Sequence, residues 1–189
     1  MIEIKEIAKT FPEIDDILLF GSAVRGKEKP TDIDILVIFK NKIDKEVEYK
    51  IKKILEKKYK NISIISKTKK TALEASFDAR ESILFEGKSL LTGENPAEKY
   101  GFASLGMFKY NFNGWDKLKK TKFYHALNGR NGKKGISDML ECIKLSDSVM
   151  LVPLNKIEKF REFMESWEIR YKYIPALLPQ RLNNKNLLE

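Results

Sequence analysis

Two carboxylates, Asp32 and Asp34, stand at the head of an apolar run that extends from Ile33 to Phe39. On a strand, positions i and i+2 project from the same face, so the two acids converge on one point despite their mutual repulsion. A cation relieves that repulsion. Oxygen donors of this kind suit Mg²⁺ or Mn²⁺, and Mg²⁺ typically takes one or two carboxylates and completes its octahedron with water and phosphate oxygens. Earlier in the chain, Gly21-Ser22 directly follows the compact apolar run Ile17 to Phe20. A glycine there lets backbone N–H groups approach an anion closely, and the serine adds a hydroxyl donor, which together make a phosphate cradle. The bland alternative, a turn followed by two solvated acids, sits badly with so apolar a strand, because burying unpaired carboxylates is costly.

The elements that must hold these groups are legible in the pattern. Ile4, Ile7, Ala8 and Phe11 recur at helical spacing up to Pro12, which predicts a short amphipathic helix over residues 2–10. Ile17 to Phe20 and Ile33 to Phe39 read as two neighbouring buried strands. From Asp44 to Tyr59, a stripe of Val47, Ile51, Ile54, Leu55 and Tyr59 with Lys and Glu elsewhere predicts a surface helix packed on a sheet. Ile62 to Ile65 reads as a third strand, residues 72–85 as helical, Glu86-Gly87 as a helix stop and Leu90-Leu91 as a short edge element. The turn formers Gly93-Glu-Asn-Pro96 predict a boundary between residues 1–95 and a second domain, 96–189. In that second part, helices are expected over 118–128, 136–143 and 156–167, and strands over 149–152 and 169–174. The tail after Pro179 is expected to be mobile. The expected fold class is α/β (α+β): a mixed sheet with flanking helices, then a smaller α+β module.

The chain is 189 residues with a net charge of +9, and 33% charged against 42% hydrophobic residues is a globular rather than a disordered balance. Residues 100–189 carry 16 basic and 9 acidic side chains, a net of +7, which leaves +2 for the first part. Such a surplus favours polyanionic partners. Between Lys117 and Lys134 there are seven Lys or Arg and no acid, interleaved with Phe123, Tyr124 and His125. Lys119, Lys120, Lys122, Arg130, Lys133 and Lys134 are therefore candidate RNA or DNA contacts, with the rival reading that the charges are solvated and Phe123, Tyr124 and Leu127 are core. Gly129 to Gly135 lacks the flanking strand and the Lys-Ser/Thr ending of a phosphate loop and reads as a flexible basic loop. The lone cysteine, Cys142, excludes an intramolecular disulfide and reads as a small buried apolar residue. No apolar run reaches the roughly 20 residues needed to cross a bilayer, and the start lacks a leader pattern, so no membrane association and a cytoplasmic location are expected.

The stretch from Phe20 to Val37 resembles the signature of the DNA polymerase β-like nucleotidyltransferase superfamily, a Gly-Ser pair followed by Asp-x-Asp on the next strand, over roughly residues 15–92. It is closest to the minimal nucleotidyltransferases, which also carry an Arg-Gly like Arg25-Gly26. The resemblance implies that Gly21 and Ser22 contact a nucleoside triphosphate, with Arg25 as a further candidate, and that Asp32 and Asp34 bind catalytic Mg²⁺ or Mn²⁺. Two departures stand out. The loop from Gly26 to Asp32 is one residue shorter than the usual form. The strand on which the family places a third carboxylate reads Asn61-Ile-Ser-Ile-Ile-Ser66, without an acid, and Ser63 stands near the expected position. The resemblance implies Mg-dependent transfer of a nucleoside monophosphate to an acceptor hydroxyl of RNA, DNA or a protein, since some minimal members modify a partner toxin. The rival is a catalytically degenerate module that binds nucleic acid or a partner protein.

Overall fold

In a computed structural model of the protein, residues 4–27 and 32–182 are described, and they fall into two compact units, Met1–Tyr100 and Gly101–Glu189. The division lies after Tyr100 rather than at residue 95. Asn95 is the reason: its side-chain amide donates to the Phe85 carbonyl at 3.1 Å and its Oδ1 accepts from the Ala97 N–H at 2.7 Å, so the turn from 93 to 100 is tied to the helix before it.

The first unit opens with a 3-10 turn, Ile4–Glu6, that continues into α1 (Ile7–Thr10). A mixed four-stranded sheet follows, built from β1 (Ile14–Phe20), β2 (Ile33–Phe39), β3 (Ile62–Thr68) and β4 (Lys88–Ser89) in the order β3-β2-β1-β4. β1 pairs antiparallel with β2 and β4, while β2 and β3 are parallel, the crossover between them being α2 (Lys45–Leu55). Asp44 caps α2, its carboxylate accepting from the N–H groups of Glu46 and Val47. Val47, Ile51 and Leu55 bury against Ile33, Ile35, Val37 and Phe39, so the odd positions of β2 face α2. Its even positions face the other way: Leu36 packs with Leu18, Phe20, Phe77 and Ile83. The interval expected as one helix over 72–85 is a 3-10 turn, Thr71–Leu73, a turn region, and α3 (Arg80–Glu86). The edge element expected at Leu90-Leu91 pairs instead at Lys88–Ser89.

The second unit has an antiparallel sheet in the order β10-β5-β9-β8, from β5 (Phe102–Asn111), β8 (Ile143–Ser146), β9 (Val149–Pro153) and β10 (Arg170–Pro179). β5 is central and was not anticipated from the sequence. Between β5 and β8 lie α4 (Lys117–Asn128), a two-stranded hairpin of β6 (Gly129–Arg130) and β7 (Lys133–Lys134), and α5 (Ile136–Met139). The loop expected to be flexible is thus a paired hairpin, closed by Asn131 and Gly132 at φ 51° and 77°, the left-handed conformations of a tight hairpin turn. α6 (Ile157–Ser166) and α4 cover one face of the sheet through aromatic contacts, Phe108 with Phe160 at 4.9 Å and Tyr110 with Phe123 at 5.8 Å. Cys142 is buried. No helix among the described residues is long and apolar enough to cross a membrane. Of the tail, Gln180–Leu182 forms a 3-10 turn, and residues 183–189 lie outside the described residues.

Candidate active site

β1 ends at Phe20, which is paired directly with Asp34 near the start of β2. The chain therefore leaves the sheet at Gly21, right beside the Asp34 carboxylate. Gly21 has φ +81°, and a Cβ built there would lie 2.9 Å from Asp34 Oδ2. Both the backbone conformation and the missing side chain are thus required, one by the turn and the other by the acid. The turn closes with the Val24 N–H donating to Gly21 O at 3.1 Å and the Lys27 N–H to Ser22 O at 3.3 Å, and buried Val24 anchors it. Gly21→Ala is expected to lower stability by about 1–2 kcal/mol through left-handed strain and to displace Asp34. Thermal melts alongside a Mg²⁺ titration check both effects; a variant with unchanged melting and unchanged metal response would refute this close fit.

Asp34 is half-buried and Asp32 exposed. Burial first, and the neighbouring Asp32 charge second, hold the Asp34 carboxyl above its ordinary value. The two acids therefore feel each other, as their spacing requires. In the parallel register of β2 and β3, Asp34 lies opposite Ser63, so an exposed hydroxyl stands on the neighbouring strand where a further acid would share the same face. Among the described residues no group of three or more His, Cys, Asp or Glu is arranged to hold a metal ion. The shortened loop between Gly26 and Asp32 includes residues 28–31, which lie outside the described residues.

Arg25 was expected on the triphosphate. In the structure its guanidinium donates to Glu86 Oε2 at 2.5 Å. The other carboxylate oxygen, Glu86 Oε1, accepts from the Gly21 N–H at 3.1 Å. The Gly21 amide, expected to be a phosphate donor, is thus engaged with Glu86 in this structure. Glu86 is only 6% exposed. Sequence reasoning placed it at a helix stop and gave it no part in the site. The one available signal was an acid closing the apolar run Ile83-Leu84-Phe85, where a buried carboxylate demands a partner.

The basic candidates separate into two sets. Lys119, Lys120 and Lys122 sit in the N-terminal half of α4, whereas Arg130, Lys133 and Lys134 are on the hairpin beyond its C-terminus. From Lys122 to the end of α4 at Asn128 the helix rises roughly 9 Å, and the hairpin cations follow beyond it. Lys119 Nζ lies 4.3 Å from the Trp115 ring centroid, and Lys122, Arg130, Lys133 and Lys134 are exposed. Phe123 is fully buried among Tyr110, Phe112, Trp115 and Trp167, and the Tyr124 hydroxyl donates to the Asp147 carbonyl. Phe123 is therefore core, as is Leu127, whereas Tyr124 and His125 are half-buried.

Residues 3–92 match the model of the family described as Polymerase beta, Nucleotidyltransferase. No curated protein matches the chain. Among solved structures the chain is similar to a crystal structure of a mutant of the toxin-antitoxin MntA-HpeT, with 18% identity and a TM-score of 0.37, covering 51% of this chain and 75% of that one. The mixed sheet, the Gly21 turn and the adjoining acids all lie within the matched segment, so it is this part of the chain that is similar to the polymerase beta nucleotidyltransferase family.

Proposed function

We propose that the protein is a divalent-metal-dependent nucleotidyltransferase that moves a nucleoside monophosphate from a nucleoside triphosphate to an acceptor hydroxyl. The observation that carries this reading is the contact between Gly21 and Asp34: a phosphate-type turn folded directly against a half-buried acid whose charge is opposed by a second acid. The donor set fits Mg²⁺ or Mn²⁺, since Asp32 and Asp34 are oxygen ligands in mutual repulsion, and two carboxylates leave positions for phosphate oxygens and water. Asp32 and Asp34 would hold the cation, which would supply neutralisation of the negative charge that builds up as pyrophosphate leaves. Ser22 would orient the triphosphate through its hydroxyl. The acceptor oxygen attacks the α-phosphorus in line with the departing pyrophosphate.

For the acceptor, RNA or DNA is favoured by the cations of α4 and of the β6–β7 hairpin, the half-buried Lys119 and Lys120 and the exposed Lys122, Arg130, Lys133 and Lys134. None of them is ion-paired among the described residues. A partner protein of toxin-antitoxin type is the other acceptor. A reducing cytoplasmic setting accords with the single buried thiol. The second reading, a degenerate module that binds without turnover, is favoured by one specific observation, the hydroxyl of Ser63 beside Asp34. Incubation with each α-labelled nucleoside triphosphate and Mg²⁺, with and without RNA, decides between them. Label on RNA or on protein supports transfer. Metal-dependent binding with no transfer and no pyrophosphate, or no binding of any nucleotide, refutes transfer and leaves the degenerate module that binds nucleic acid or a partner protein.

A further inference from the structure

We infer that Glu86, on α3, is a positioning residue that fixes the Gly21–Gly26 turn in its ligand-ready form. One carboxylate grips that turn at two points, its first backbone amide through Oε1 and the Arg25 side chain through Oε2. The grip is buried on the acid's side, with the Glu86 side chain 7% exposed and that of Arg25 24%. Water therefore competes poorly for either bond, and both ends of the turn are referred to the same rigid element. α3 is itself fixed to the sheet, because Ile83, one helical turn before Glu86, packs with Leu18, Phe20 and Leu36. The chain of support runs from the sheet core through Ile83 to Glu86, and from Glu86 back to the turn that borders Asp34.

This arrangement divides labour within the turn. Gly21 spends its N–H on Glu86, and its Cα lies against the Asp34 carboxylate. Its position is thus set on one side by an acid that accepts a hydrogen bond and on the other by an acid that occupies the space a side chain would need. A few tenths of an ångström of slack at Glu86 would pass directly to the distance between the turn and Asp34. Supporting groups of this kind hold the groups that touch a ligand, and their loss is felt as weaker binding rather than as unfolding. Arg25, through the same bond, acts as a strut for the loop.

The functional consequence rests on the nucleotidyltransferase reading, whereas the geometric claim does not, and two measurements separate them. The first is site-resolved amide hydrogen exchange on the full chain without nucleotide. In Glu86→Ala the Gly21 amide is expected to exchange at least about 10-fold faster, as a local opening would, while Ile35 and Leu36 in the sheet centre keep their rates. Glu86→Gln retains an acceptor oxygen for the Gly21 N–H and is expected to preserve most of that protection; it also serves if the alanine variant fails to fold. The second is titration of the same proteins with ATP and Mg²⁺. The dissociation constant is expected to rise about 10-fold in Glu86→Ala, the scale seen for groups that orient ligating residues, with a smaller rise for Arg25→Lys. Unchanged Gly21 exchange would overturn the inference. So would equal acceleration at Gly21, Ile35 and Leu36, which marks general destabilisation, and so would a freed Gly21 amide with unchanged ATP affinity. A wild-type protein that binds no nucleoside triphosphate refutes the proposed function and the ligand-ready clause together, and leaves exchange at Gly21 to judge the Glu86 contact alone.

Discussion

Asp34→Asn is expected to reduce nucleotidyl transfer by about 10³-fold or more, as loss of a group that stabilises developing charge does, and also to raise the melting temperature of the nucleotide-free protein. The two effects share a cause. Burial, and then the Asp32 charge, raise the Asp34 pKa above its ordinary 3.8, so the folded protein holds that proton more tightly than the unfolded chain does. The resulting stability is fully present below the unfolded pKa and is lost as pH rises through the raised folded value, so at neutral pH the ionised acid opposes folding. The neutral amide removes that opposition, so the nucleotide-free variant is expected to melt higher than the wild type. Mg²⁺ should raise the melting temperature of the wild type and leave that of the variant unmoved. Pyrophosphate release and calorimetry check the pair. Lost activity together with a lowered melting temperature would assign Asp34 to structure instead.

Ser63→Asp carries the second large expectation. The β2–β3 register sets position 63 beside Asp34, and the strands are parallel, so an acid placed there shares the Asp34 face. A third carboxylate adds a metal ligand and a base for the acceptor hydroxyl, and general-base assistance typically supplies about 10²–10⁴-fold. Turnover is expected to rise by about 10²-fold, with tighter Mg²⁺ binding and some loss of stability in the metal-free protein from one more like charge. Ser63→Ala is expected to change turnover less than about 2-fold, since an exposed hydroxyl is a poor base. Loss of activity in Ser63→Ala would give the hydroxyl itself a role, and no gain in Ser63→Asp would mean the site does not need an acid at that position.

The parts of this fold that were legible in the sequence are those in which a single periodicity governs burial. β2 runs from Ile33 to Phe39, as its alternation indicates, and the α2 stripe lands on the odd positions of that strand. β5 escaped because its centre is Gly106, which in isolation marks a break. In the folded chain a Cβ at Gly106 would lie within 2.9 Å of Tyr173 and 3.0 Å of Ile157, so the glycine there accommodates side chains that close over a continuous strand. The break in the helix expected over 72–85 has a tertiary origin as well: Phe77 turns into the core beside Ile83. In the site, Gly21, Ser22 and the acid pair are near neighbours in sequence, and their types announce their chemistry. Glu86 meets Gly21 across 65 positions of chain, and no local pattern encodes such a meeting. The cations of the second unit misled in another way. Of the residues interleaved with them, Phe123 pairs at helical spacing with Leu127 to make the core face of α4.

Both tryptophans of the chain, Trp115 and Trp167, lie in the second unit, with ring centroids 6.3 Å apart. Intrinsic fluorescence excited at the indole band is therefore a one-sided reporter: its emitters belong to the aromatic cluster around Phe123, and the unit that carries Gly21 has none. A flat emission trace during an ATP titration would say nothing against occupancy of the acid pair. A trace that does move would be informative in the other direction, because it would mean that the half of the molecule without the acid pair responds to the nucleotide.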